Sequence, residues 1–177
     1  MGSYWWHRIR HWLLAGNAHG LHSPFVYHLY TTVLRPKTET LSSQAQWPWL
    51  EDLGLPTDWT KVVGRLLAHW QPVTIWMFSQ SGIETINAYP AVLDELERKI
   101  RQMVIVVDGQ CAETQSLLTS VEPSTCILII RPYSTAANQN LWQQLVQSPR
   151  MTATVDIFWI GLAFPRSKQA KEAFTLR

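Results

Sequence analysis

The first 38 residues of this 177-residue chain contain no aspartate and no glutamate. They carry Arg8, Arg10, Arg35 and Lys37, and five of the six histidines. The whole chain has 15 Lys and Arg against 13 Asp and Glu, so the other 139 residues hold 11 bases and 13 acids and are net negative. The formal charge of +2 is too small to point to nucleic acid by itself. Cysteine is scarce as well. Cys111 and Cys126 stand alone, without CxxC or metal-ligand spacing. That excludes a disulfide framework and a zinc cage, and reads as two reduced thiols in a cytoplasmic protein. No apolar run approaches the roughly 20 residues that span a bilayer. The N-terminus interleaves Trp with Arg and lacks the continuous apolar segment of a secretory signal. A hydrophobic content of 46% suits a single domain over residues 1–177 with a real core.

Tryptophan, by contrast, is plentiful: there are ten. Its N–H needs a partner when buried, and the residue is favoured at interfaces. Three of the ten fall in YWWHRIRHWLLA (4–15), which has a helical pattern with Trp5, Ile9, Trp12 and Leu13 on one face. Gly16-Asn17 is a stop signal. In HSPFVYHLYTTVLRP (22–36), Ser23 stands at an N-cap position and Pro24 at the first helical position. Phe25, Val26, Leu29, Val33 and Leu34 give this second helix an apolar face, and Pro36 closes it. Residues 1–36 thus read as a lobe of two helices with a corner between them. Residues 37–58 read as loop plus a short helix anchored by Trp47, Trp49 and Leu50.

WTKVVGRLLAHW (59–70) makes a further helix, ended by Gln71-Pro72. VTIWMF (73–78), MVIVVD (103–108) and CILII (126–130) are apolar runs suited to strands covered on both faces. The expectation is a helix from Ile83 to Arg101 after the first strand, one near 111–119 and one over 136–147. A terminal strand pair meets around Trp159-Ile160-Gly161. This is an α/β plan, in which ligands bind beyond the carboxyl ends of the strands. Those ends are Phe78-Ser79, Asp108-Gly109 and Arg131-Pro132.

HGLHSPFVYHLYTTVLR (19–35) and VDIFWIGLAFPRSKQAKEAFTLR (155–177) resemble the two ends of a bacterial family of class I S-adenosylmethionine-dependent methyltransferase-like proteins. Members carry an HGxHSPFVY motif after a first helix and finish with a T-x-D-x-F-x-x-G-x-x-F, K-E-x-F, x-R pattern. The resemblance implies a shortened Rossmann-like sheet over residues 59–177. That sheet would be mostly parallel, in the order 2-1-3-5-4 for the five strands read above, with an antiparallel C-terminal pair.

The departures bear on function. Where the family has a strand-end acid and a glycine-rich loop, this chain has Met77 and Ser79, in a loop one residue short. Glycines there let a cofactor approach the backbone; Gly82 survives. Where a pair of aspartates is implied, Arg131-Pro132-Tyr133 stands. Asp108-Gly109 is retained at the end of the second strand, where the resemblance implies an acid on the cofactor's ribose. Residual cofactor contacts are therefore Asp108, Gly82 and Gly109, although an Asp at a strand end is also an ordinary turn residue.

His19, His22 and His28 do not form a recognised metal spacing, and Ser23 is better explained as a cap than as a nucleophile. Asp156, inside an apolar strand, suits a buried hydrogen-bonding role. No catalytic residue and no metal ligand is assigned. The expectation is a non-catalytic, pseudoenzyme module in protein–protein interaction or regulation, without a cofactor. Its partner would be another protein or a second copy, contacted through Trp5, Trp6, Arg8 and Trp12 and the Trp47/Trp49 loop. Two alternatives stand beside it. One is an active S-adenosylmethionine-dependent methyltransferase with a diverged loop. The other is a peripheral membrane binder using the first helix.

Overall fold

The computed structural model describes residues 2–16, 22–35, 47–88, 100–111, 114, 121–166 and 170–177. The chain is α/β, with helices on both faces of a mixed sheet that has seven strands among the described residues. Helix α1 (Gly2–Leu14) is followed by α2 (Pro24–Leu29), which runs on into a π-helical turn (Tyr30–Leu34). A 3-10 helix (Pro48–Leu53) and α3 (Thr57–Trp70) lead to β1 (Thr74–Ser79) and β2 (Gly82–Asn87). Then come β3 (Gln102–Val106), β4 (Thr125–Ile130), α4 (Ala136–Gln147), β5 (Ala153–Asp156), β6 (Ile160–Phe164) and β7 (Glu172–Thr175).

The strand order is β2-β1-β3-β4-β6-β5-β7. Parallel pairing joins β1 to β3, β3 to β4 and β5 to β7, while β1–β2, β4–β6 and β5–β6 are antiparallel. The expected antiparallel pair of strands near the C-terminus is present, but the sheet is evenly mixed rather than mostly parallel. The expected order is corrected too. Strand 102–106 lies between the strands at 74–79 and 125–130, not outside the first.

Two further strands were not expected. The helix read from Ile83 to Arg101 is replaced at its start by β2, which folds straight back on β1 with Ser79 opposite Gly82. Three of the six β2 residues, Ile83, Thr85 and Ile86, are β-branched, which favours an extended chain. Residues 89–99 of that expected helix, and nearly all of the one near 111–119, lie outside the described residues. Strand β7, at the far edge, has no counterpart among the expected elements.

One face of the sheet packs against α2, the 3-10 helix and α3 through Leu29, Leu50, Val63, Leu66 and Leu67. The other packs against α4 through Leu141, Trp142 and Leu145. Strand β4 is buried along its whole length, as its unbroken apolar run requires. Helix α3 ends where Gln71 takes a left-handed φ of 45° and its N–H bonds to Leu67 O, with Pro72 beyond. The Arg65 Nε–H caps the π turn by donating to Val33 O at 2.7 Å. Ser23 occupies the N-cap of α2, but its hydroxyl makes no capping bond. Thr135 does cap α4, its oxygen accepting from Asn138 N.

The two stretches that carry the family resemblance meet in space. Phe25 packs edge-on to Phe164 at 5.0 Å, and the Arg166 guanidinium lies 3.9 Å over the Phe25 ring. The Tyr30 hydroxyl donates to Arg177 O. Both motifs therefore serve one packing unit between α2 and the C-terminal strands.

Candidate functional site

Strands β1, β3, β4, β5 and β7 all run the same way, so their carboxyl ends share one edge of the sheet. At β1 that edge is a hairpin. Gln80 and Ser81 form a two-residue loop, Ser79 Oγ and Ser81 Oγ bond at 2.7 Å, and Gly82 takes φ +113°. Gly82 thus makes a tight turn and does not line a loop leading into a helix.

At β3, the Asp108 carboxylate accepts from the Gln110 N–H at 2.9 Å, a local turn. The Gly109 N–H donates to Asn138 Oδ1 at 2.7 Å. A Cβ on Gly109 would come within 2.9 Å of the Ala137 carbonyl, so glycine is required by the close approach of α4. The Asn138 Nδ2 group donates to Val107 O and Ile130 O. With only 1% of its surface exposed, Asn138 ties the ends of β3 and β4 together and fills the gap between them. The cavities at the α1 end of the sheet are lined by neither Asp108, Gly82 nor Gly109.

Farther along the same edge lies a polar cluster. Asp156 ends β5. One carboxylate oxygen accepts from the Phe158 N–H at 2.9 Å and lies 3.3 Å from His11 Nε2; the other accepts from the Tyr133 hydroxyl. His11 Nε2 also lies 3.2 Å from Asp156 O. Both neighbours are acceptors, so this nitrogen carries the proton. Burial, then the Asp156 charge and hydrogen bond, raise the Tyr133 pKa far above that of a free tyrosine, against a smaller opposing pull from Trp142 and Arg10. Phe158 (φ 66°) and Arg131 (φ 48°) hold left-handed backbone beside the cluster.

With both oxygens of Asp156 engaged and Tyr133 held neutral, this cluster fastens elements together and offers no activated nucleophile. Cys126 is no better placed, because burial in β4 raises its thiol pKa. The buried role expected of Asp156 is what the structure has. Its coupling to His11 and Tyr133, 145 and 23 residues away, has no sequence signal.

What the cluster fastens is α1. The helix turns Tyr4, His7 and His11 inward: His7 stacks on Tyr133, and Tyr4 and His11 meet Phe158 edge-on. Its apolar face is left largely in solvent. Trp5 (61%), Trp6 (64%), Trp12 (64%) and Leu13 (68%) are exposed, and so are Ile9 and Leu14. All four residues expected to contact a partner, Trp5, Trp6, Arg8 and Trp12, are therefore surface residues, with Arg8 lying over the Trp5 ring. The Trp47/Trp49 loop is corrected: Trp47 is buried in the core and packs edge-on to Trp49.

A groove of about 670 Å³ runs beside α1. A second cavity of about 410 Å³, between α1, α4 and β5–β7, contains the Asp156 and Tyr133 side chains among its walls. Among the described residues no group of three or more His, Cys, Asp or Glu could hold a metal ion, and no helix is long and apolar enough to cross a membrane. His19 lies outside the described residues. No family model, curated protein or solved structure matches the chain.

Proposed function

We propose that this protein is a non-catalytic, methyltransferase-like module that works by protein–protein interaction through α1. The observation that carries the reading is the orientation of that helix. It docks by Tyr4, His7 and His11 and leaves Trp5, Trp6, Ile9, Trp12 and Leu13 in solvent. An apolar stripe ordinarily faces the core. A contiguous exposed one, rich in Trp and beside Arg, marks a binding surface.

The sheet supports the non-catalytic part. Doubly wound sheets bind cofactors where the strand order reverses. An order with strands 102–106 and 125–130 on opposite sides of β1 would make such a crevice. In the observed order β1, β3 and β4 follow one another without reversal, and Asn138 fills the space between β3 and β4. The reading includes a Rossmann-like origin for the sheet and a cytoplasmic setting, in keeping with Cys111 and Cys126 being outside any disulfide.

Isothermal titration with S-adenosylmethionine and S-adenosylhomocysteine tests it, and the expected result is no binding. Saturable binding that disappears in Asp108→Ala would favour the active methyltransferase instead. Pull-down and vesicle co-sedimentation with wild type and the Trp5→Ala/Arg8→Ala double variant test the surface. A partner lost by the double variant, with no vesicle binding, supports the interaction module. Salt-sensitive binding to anionic vesicles moves the reading to a peripheral membrane protein.

A further inference from the structure

We infer that the groove beside α1 receives an acidic amphipathic helix from a protein partner, an inference that rests on the interaction-module reading. One wall is α1 itself, which presents Trp5, Arg8, Ile9 and Trp12 at i, i+3, i+4 and i+7. That is the spacing of a helix face that receives another helix. Trp59, Leu176, and Ile157 and Trp159 of the β5–β6 turn also line the groove, so the body of the protein as well as the helix contributes apolar surface. A trough with two apolar walls holds an inserted rod.

The charge selects the rod's sign. Arg8, Arg35 and Arg177 line the groove and no Asp or Glu does. A second copy paired groove to groove would bring Arg8 and Arg35 against their like, which opposes that self-pairing. An acidic segment gains where a second copy loses.

The backbone selects the rod's conformation. Extended peptides dock by adding to an unpaired strand edge. At Leu176, which lines the groove, the N–H already donates to Asp156 O, and the neighbouring Thr175 O already accepts from the Gly16 N–H. An incoming segment finds no ladder there and must satisfy its own backbone, as a helix does.

Selection of a displayed random-peptide library on the full chain tests the inference. The enriched sequences are expected to carry Asp or Glu beside apolar residues at three- and four-residue spacing. As synthetic peptides they should gain helical circular dichroism on binding and weaken with salt. They should bind about tenfold or more weakly to Arg35→Glu and to Trp159→Ala. Arg35 is exposed, so that variant keeps the test independent of folding. Enrichment of basic or proline-rich sequences, no enrichment, or binding indifferent to both variants overturns the inference. Peptides lost with Trp6→Ala/Leu13→Ala but not with the groove variants would leave the interaction module standing without the groove. Binding only to vesicles of phosphatidylserine and phosphatidylcholine would remove both.

Discussion

The Gly109 N–H donates to the Asn138 side-chain carbonyl at 2.7 Å, and this bond places the start of α4 where a ligand would enter the sheet. Asn138 also donates to Val107 O and Ile130 O. Replacing it by alanine strands the half-buried Gly109 donor and leaves the Val107 and Ile130 carbonyls short of a partner. Asn138→Ala is expected to cost about 1–3 kcal/mol, read from urea denaturation. Wild-type stability in the variant would mean that water takes over all three bonds and that the edge is wetter than its burial implies.

Gly82 separates the hairpin from the helix that the sequence suggests. At φ +113° any L-side chain is strained although the space around it is open. Gly82→Ala should therefore destabilise by about 1–3 kcal/mol. At the start of a helix the same change would be neutral or stabilising, because alanine is the better helix former by about 1 kcal/mol. The sign of the shift in the urea midpoint decides between them.

Tyr133 couples the cluster to pH. Its folded pKa is raised, by burial first and by Asp156 next, above an unfolded value of about 10. The protonated phenol is thus favoured by folding. Its contribution is fully present below about pH 10 and is lost as pH rises above it. Tyr133→Phe should flatten the fall in stability as pH rises above about 10. At neutral pH it should cost about 1.5–3 kcal/mol, the worth of a hydrogen bond to a charged group. An unchanged alkaline limb would show that Tyr133 ionises like an ordinary tyrosine.

The tryptophans of α1 and α4 should behave oppositely. Trp12 is 64% exposed, and Trp12→Ser is expected to stay within about 0.5 kcal/mol of wild type. Trp142 is buried and packs so closely on β6 that a Cβ on Gly161 would come within 2.9 Å of its ring. Trp142→Ala is expected to cost about 3–5 kcal/mol. A large loss of stability in Trp12→Ser would make α1 part of the core and remove the interaction surface.

Long elements whose local pattern agrees with their burial were legible. Helices 57–70 and 136–147 and the three apolar strands fall within about two residues of their expected bounds. Ser-Gly followed by three β-branched residues was a hairpin signal. Ser23 has the right residue at the right position, yet its hydroxyl makes no capping bond. Ser23 is buried, but with no capping bond to lose, Ser23→Ala should cost less than the roughly 1 kcal/mol of a true cap.

The sequence by itself determined the α/β class, because periodicity and uninterrupted apolar runs are local properties. It also determined the basic, acid-free N-terminus and the absence of a glycine-rich loop after β1. Only the tertiary structure decided which face of α1 is buried. Amphipathicity alone would turn Trp5, Ile9 and Trp12 inward. The docking is set instead by His11 reaching Asp156 and by His7 stacking on Tyr133, pairings across more than 100 residues. The order of the strands was decided in the same way. Apolar strands pair about equally well with several neighbours, and the connections and the Asn138 bridge select which of them lie side by side.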